Sequence, residues 1–287
     1  MPPPIVWLEG FISGSTLVIM ASGLVLVLSI MGILNWAHGQ LYMLGGFITW
    51  YVLTQLGMNY ILALLAATAS IAAIGVAIEK WLLRPLVAKG FLPPSVVALG
   101  FIFTFEGATI LRFGVAQRDV PTILGGVIHV GQVSITAERL LVVCIAIGVM
   151  LGLYYFINRT KLGLAIRAAA QEPTVASLYG VASGRLFTIV MATGAGLAAI
   201  AGGLIAPVYF IDPYMGSRPL IQALMAIVLG GLGSLRGAVA GGMIIGFIAT
   251  IGGYYIGTWY EVITFSSIIA IILLRPQGLF GSREARV

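Results

Sequence analysis

The chain carries apolar runs near residues 11–33, 41–57, 61–79, 95–113, 139–157, 186–206, 219–235, 237–254 and 260–274, each long enough to sit in hydrocarbon. A backbone in a bilayer core must satisfy its N–H and C=O groups internally, which leaves helices and closed barrels. Barrel strands alternate over about ten residues, whereas these runs are continuously apolar and rich in Leu, Ala, Ile and Gly. With 60% hydrophobic and 8% charged residues, against about 25% charge in soluble domains, the expected fold is an all-α polytopic membrane protein. About eight or nine transmembrane helices are expected, in a single transmembrane domain over 1–287.

The few charges orient the chain. With the N-terminus outside, Lys80, Arg84, Lys89, Arg159, Lys161, Arg167, Arg185, Arg236, Arg275, Arg283 and Arg286 fall on one side, and Arg112, Arg118, Arg139 and Arg218 on the other. The positive-inside rule makes the first set cytoplasmic, so the expectation is N-terminus out and C-terminus in. Basic residues at segment ends are orientation signals, which argues against nucleic acid as a partner despite the net charge of +6. Met1-Pro-Pro-Pro lacks the basic start of a cleavable signal. The lone Cys144 inside an apolar run excludes a disulfide framework and is expected as a packed thiol. Glu79 and Glu261, near segment ends, are expected at the interface. Gly114 to Glu138, with Pro121, Gly125, Gly126, Gly131 and alternating valines and isoleucine, is expected as an ordered periplasmic loop (114–138) with a hairpin.

The longest polar, basic insert is 158–185. It contains Glu172-Pro173, a helix-start signal, because proline is tolerated in a first turn and an acid suits a helix N-terminus. A short helix from about Thr174 to Tyr179, stopped by Gly180, is expected there as a cytoplasmic knob for another protein.

No enzyme motif is present: the chain has no Gly-Lys-Ser or Gly-Lys-Thr phosphate loop, no His-Glu-x-x-His and no cysteine pair for zinc. The most polar point of the first three runs is Asn35-Trp-Ala-His-Gly39. It reads either as a helix break lining a cavity or as a short turn anchored by Trp36. Glu106 lies within an apolar run; a carboxyl at that depth costs about 2.5 kcal/mol or more, so it faces protein or water, as a gate or as a structural hydrogen-bonding group. Most of the 38 glycines read as sites of close helix approach. Ile19-Met-Ala-Ser-Gly23 resembles Val190-Met-Ala-Thr-Gly194, and five crossings separate them, so an inverted repeat is expected.

Three ordered blocks carry a family resemblance. Asn35-Trp-Ala-His-Gly-Gln-Leu-Tyr-Met-Leu-Gly-Gly46, Leu162-Gly-Leu-Ala-Ile-Arg-Ala-Ala-Ala-Gln-Glu-Pro173 with Ala176 and Gly180-Val181, and Ala226 to Gly242 are similar to those of LivH-type permeases of branched-chain amino-acid ABC importers. The ending Arg275-Pro-Gln-Gly-Leu-Phe280 fits as well. The resemblance implies a type II importer fold with inverted halves in a bacterial inner membrane. It also implies a paralogous sister permease, two ABC ATPases holding ATP and Mg, and a periplasmic binding protein as partners, with no cofactor in this chain. Ser22, Gly23, Asn35, His38, Gly39, Glu106, Thr193 and Gly194 are then candidates for the substrate path. Gln171, Glu172, Pro173, Ala176, Tyr179, Gly180 and Val181 are candidates for ATPase coupling. Branched-chain or other hydrophobic amino acids rank first as substrate. Urea or short amides come second, and an ion-coupled carrier using Glu106 is the rival class.

Overall fold

The computed structural model describes residues 2–130, 133–274 and 277–280. Gly131, Arg275, Arg283 and Arg286, which entered the loop and orientation readings above, lie outside them. The elements in chain order are α1 Pro4–Met31, α2 His38–Thr54 and α3 Tyr60–Ile78, which runs through a π-helical turn Glu79–Leu83 into α4 Arg84–Val87. Then come α5 Leu92–Phe113, a hairpin of β1 Val127–Val130 and β2 Val133–Thr136, α6 Ala137–Arg159, α7 Lys161–Gln171 and α8 Pro173–Leu178. The last four are α9 Ser183–Ile205, α10 Ser217–Gly230, α11 Leu235–Ile256 and α12 Trp259–Leu274. Among the described residues, six helices are long and apolar enough to cross a membrane: α1, α3 with its extension, α5, α6, α9 and α11. Helices α10 and α12 are apolar but shorter.

Local sequence sets the ends of these elements. Pro4 opens α1, where a missing N–H costs nothing, and Gly32 closes it at φ 65° with its N–H on the Leu28 carbonyl. Asn59 caps α3 by accepting from Leu62 N–H at 2.9 Å, and Ser234 caps α11 by accepting from Gly237 N–H at 3.0 Å. The final carbonyls of α10 receive donors from the chain's own tail: Leu279 N–H bonds Leu229 and Phe280 N–H bonds Gly230, both at 2.9 Å. The hairpin pairs Val127 with Thr136 and Val130 with Val133.

Helices α1 and α9 form the centre, and every residue from Gly14 to Val27 is buried. They cross where neither has a side chain: a Cβ on Gly23 would lie 2.8 Å from the Gly194 carbonyl oxygen, and one on Gly194 would lie 2.9 Å from that of Gly23. The next pair is equally reciprocal, Gly39 at the start of α2 against Gly216 just before α10. Around this centre α3 packs antiparallel on α9, with Gly75 against Ala195 and Tyr60 donating to the Gly203 carbonyl at 3.0 Å. Likewise α11 packs antiparallel on α1, with Gly242 against Val18 and Gly246 against Gly14. Exchanging α1, α2 and α3 for α9, α10 and α11 therefore maps contact onto contact. Because α3 is antiparallel to α9 and two connections away from α1, α9 runs opposite to α1. The five-residue echo between Ile19–Gly23 and Val190–Gly194 thus marks an inverted repeat whose halves meet at those glycines.

Helices α5 and α6 lie outside this centre and display apolar residues, with Phe103 76% and Leu111 90% exposed, as lipid-facing or partner-facing helices must. Cys144 is exposed on α6, which corrects the expectation of a packed thiol: α6 is peripheral and that position points away from the bundle.

Packing without side chains at the crossings has a measurable consequence. A Cβ at Gly202 would run into the Tyr42 carbonyl on α2, whereas one at Gly148 meets nothing within 4 Å. Gly202→Val should cost about 1–3 kcal/mol by overpacking and lower the melting temperature of the detergent-solubilised protein. Gly148→Ala should leave it unchanged or raise it slightly.

Candidate functional site

The chain leaves helical geometry at 32–37, between α1 and α2, and this break lies inside the bundle. Asn35 is 2% and His38 0% exposed. The turn of the second reading is present at 36–37, with His38 N–H donating to the Asn35 carbonyl at 3.0 Å, but it is set inside the bundle instead of at its surface, and Trp36 is half-buried. Gly23, Gly39, Gly194 and Gly216 bring backbones together here, and the His38 ring lies directly against Gly23. His38 Nε2 lies 3.2 Å from the Met20 carbonyl oxygen and therefore donates to it, which leaves Nδ1 as the acceptor. That Nδ1, Ser22 Oγ, Asn35 Nδ2 and Gln40 Oε1 are all buried without a protein partner. Four such atoms within 19 residues of sequence are exceptional, since buried polar groups are nearly always paired.

The sequence-derived candidates divide accordingly. Gly23, Gly194 and His38 meet at the crossing, Ser22 adjoins Gly23 in the chain, the Asn35 carbonyl accepts from His38 N–H, and Gly39 faces Gly216 at the next close approach. Thr193 sits beside Gly194 but donates to the Ile189 carbonyl of its own helix at 2.8 Å, so the counterpart of Ser22 is satisfied. Glu106 does not join them: it is half-buried on α5, and among the described residues its carboxylate has no hydrogen-bond or ion-pair partner. Gln40 was missed although it follows Gly39 directly; its signal was a carboxamide in an apolar run.

Above the crossing opens a cavity of about 610 Å³ walled by α1, the 206–216 connection, α10, α11 and α12, with Met20 and Tyr42 among its lining residues. Met20 thus links cavity and polar cluster, since its side chain borders the first and its carbonyl accepts from His38 in the second. The connection that walls the cavity is held by extended pairing of Ile211 with Arg118 from the 114–126 segment. On the same connection, burial and the nearby Glu9 carboxylate push the Tyr209 hydroxyl above its usual pKa, so it stays a neutral hydrogen-bonding group.

The polar insert takes the form its sequence announces. Thr160 accepts from Gly163 N–H at 3.0 Å and starts α7, and Gly163 fits directly against the Phe156 and Ile157 carbonyls. Pro173 is the first residue of α8, and Gly180, at φ 85°, ends it. The N–H groups of Gly180 and Val181 bond the carbonyls of Ser177 and Ala176 at 3.0 and 3.1 Å, the two bonds of a Schellman motif. Ala176 is the only buried residue of α8, and Val181 belongs to its closing motif. Gln171, Glu172 and Pro173 are exposed beside Val175, while Leu178 is 81% and Tyr179 87% exposed.

Where α9 begins, directly after this insert, stands a group that sequence reading placed at the interface. Glu79 is completely buried. Its two oxygens accept from Arg84 Nε and Nη2 at 2.6 and 2.9 Å, and the same Nη2 donates to the Gly184 carbonyl and Thr188 Oγ1, both at 2.6 Å. The reason is the π turn: residues five apart lie on different faces of an α-helix, whereas i→i+5 bonding sets Arg84 over Glu79. Glu261, by contrast, is 43% exposed.

With this geometry in hand, the comparisons with known proteins give the class. Residues 6–274 match the family described as the permease component of branched-chain amino-acid transport systems, and the chain belongs to it. It is therefore a membrane permease component of a multi-component transport system. Among relatives, it is 34% identical to the high-affinity branched-chain amino-acid permease BraD of Pseudomonas aeruginosa, over 96% of this chain and 95% of that one. It is 32% identical to LivH of Escherichia coli K12, over 96% and 94%. A more distant likeness, 27% over 66% of this chain and 56% of the other, is to the fructose import permease FrcC of Rhizobium meliloti. No solved structure matches the chain.

Removing one partner of a buried ion pair leaves an uncompensated charge. Arg84 is the only cation paired with Glu79 among the described residues, so Arg84→Met should destabilise by about 3–5 kcal/mol. The double variant Glu79→Leu/Arg84→Met should recover much of that loss. A double-mutant cycle on melting of the solubilised protein checks it.

Proposed function

We propose that this chain is one permease subunit of an ATP-driven importer of branched-chain or other hydrophobic amino acids in a bacterial inner membrane. It supplies half of the translocation path, and a paralogous permease supplies the other half. Two ABC ATPases and a periplasmic binding protein complete the assembly. The whole chain is one transmembrane domain with nine crossings, its N-terminus and the 114–138 loop outside, and the 158–185 insert and C-terminus in the cytoplasm. The short α10 and α12, with the 17-residue α2, count among those crossings. Relatives named for branched-chain amino-acid transport support the cargo over nearly the full length.

The observation that carries the coupling assignment is α8. A six-residue helix is unstable alone, and this one is closed by proline and a Schellman glycine while Val175, Leu178 and Tyr179 point outward. Its exposed apolar tip suits a groove on the ATPase. Its base joins α9, whose first turn Arg84 and Glu79 clamp to α3. ATP-driven closure would then move α9 and α3 together and rock that pair against α1 and α11 about the Gly23–Gly194 crossing. Opening that crossing lets Ser22, Asn35, His38 and Gln40 meet water and cargo, a role for side chains that otherwise lack partners.

Purification from native membranes should yield a second permease and two ATPases, with hydrolysis stimulated by leucine-loaded binding protein; a lone, ATP-indifferent chain would return attention to Glu106 and an ion-coupled carrier. In the assembled complex Gly180→Leu should lower leucine uptake at least ten-fold. The left-handed position costs a non-glycine residue about 1–2 kcal/mol, and the open space around it leaves the rest of the chain undisturbed. Unchanged uptake and hydrolysis in that variant would sink the coupling assignment.

A further inference from the structure

We propose that the 610 Å³ cavity is a binding site for the zwitterionic backbone of an amino acid, with Arg218 holding its carboxylate and Glu9 its ammonium. This rests on the amino-acid reading above and assigns residues to it. The cavity lies within the range of small-molecule sites, roughly 300–1,000 Å³. Its lining contains two charged residues, one of each sign: Glu9 from α1 and Arg218 from α10. The rest combines hydroxyl groups and the Gln222 carboxamide with apolar wall, the latter including Leu17, Ile205, Phe210 and Met215. One anion, one cation and an apolar wall are the three features an α-amino acid with a hydrocarbon side chain requires. A sugar, urea or a neutral amide needs neither ion.

Both ions keep unused valences. Arg218 directs Nη2 to Glu261 at 2.7 Å and to the Tyr260 hydroxyl at 2.7 Å. Its Nε–H and Nη1–H groups have no acceptor among the described residues, which leaves an edge for a carboxylate. A carboxylate there also meets the positive end of α10, where Arg218 is the second residue. Glu9 forms an ion pair with Arg139 through Oε1 at 3.1 Å, and Oε2 has no partner among the described residues. Each ion is thus neutralised from behind by a residue outside the cavity lining, and ligand binding need not break either pair. Met20 places bound cargo next to the carbonyl that His38 holds, so the site stands at the mouth of the buried polar cluster.

The test uses the complete importer in lipid nanodiscs, with its binding protein loaded with the diazirine analogue of leucine, irradiated during turnover and mapped by mass spectrometry. Adducts are expected on the cavity walls around Met20, Phe210 and Met215, falling at least ten-fold in Glu9→Gln and in Arg218→Gln. Arg139→Gln and Glu261→Gln break the same two ion pairs but leave the cavity charges, and should retain labelling within about two-fold, as a tenfold change corresponds to about 1.4 kcal/mol. Equal losses in all four variants would show a structural role and overturn the assignment. So would walls that stay unlabelled, or labelling indifferent to Glu9 and Arg218, in a complex that imports leucine. A complex whose hydrolysis and uptake ignore leucine would instead overturn the amino-acid reading, and the ligand assigned here with it.

Discussion

Two helices can cross backbone to backbone only where both lack side chains, and the architecture follows from one such crossing. In lipid there is no hydrophobic force to press helices together, so association depends on close van der Waals approach. Gly23 and Gly194 allow it at the centre, and Gly39 with Gly216 repeat it one step along. The flanking helices are then placed by the same device, Gly75 against α9 and Gly242 with Gly246 against α1. The inverted symmetry is thus a property of where Cβ atoms are missing.

The same crossing explains why polar groups are stranded beside it. Gly23 and Gly194 present only backbone there, and among the described residues nothing pairs with the free polar atoms of Ser22, Asn35, His38 and Gln40. The arrangement is expensive in a static bundle. It is reasonable in one whose halves part, because the groups then exchange an enclosed setting for a wet one.

Much of this was legible in the sequence, for identifiable reasons. Apolar runs gave the helices because lipid tolerates little else, and Glu172-Pro173 followed by Gly180 gave α8 because capping chemistry is local. The echo Ile19–Gly23 and Val190–Gly194 pointed to the two residues that touch. What escaped depends on partners distant in sequence. Glu79 at a helix end reads as interfacial until the π turn and Gly184, 100 residues after Arg84, are known. Arg218 reads only as an orientation charge and Glu9 carries no signal, because nothing local says that α1 and α10 share a cavity. Cys144 looked packed because an apolar run does not reveal which helices are peripheral. Glu106 looked central for the same reason.

The clamp between α3 and α9 has a mechanical character set by its chemistry. An apolar helix contact between smooth faces can slide, because one register of methyl groups is nearly as good as the next. A guanidinium that meets a carboxylate edge-on, and also a carbonyl and a hydroxyl on the neighbouring helix, has one register, and any shift leaves buried charge unmatched. The joint behaves as a pin instead of a bearing. Under the proposed coupling, force arriving at the first turn of α9 would reach α3 without slippage, and the two helices would turn together about the glycine crossing.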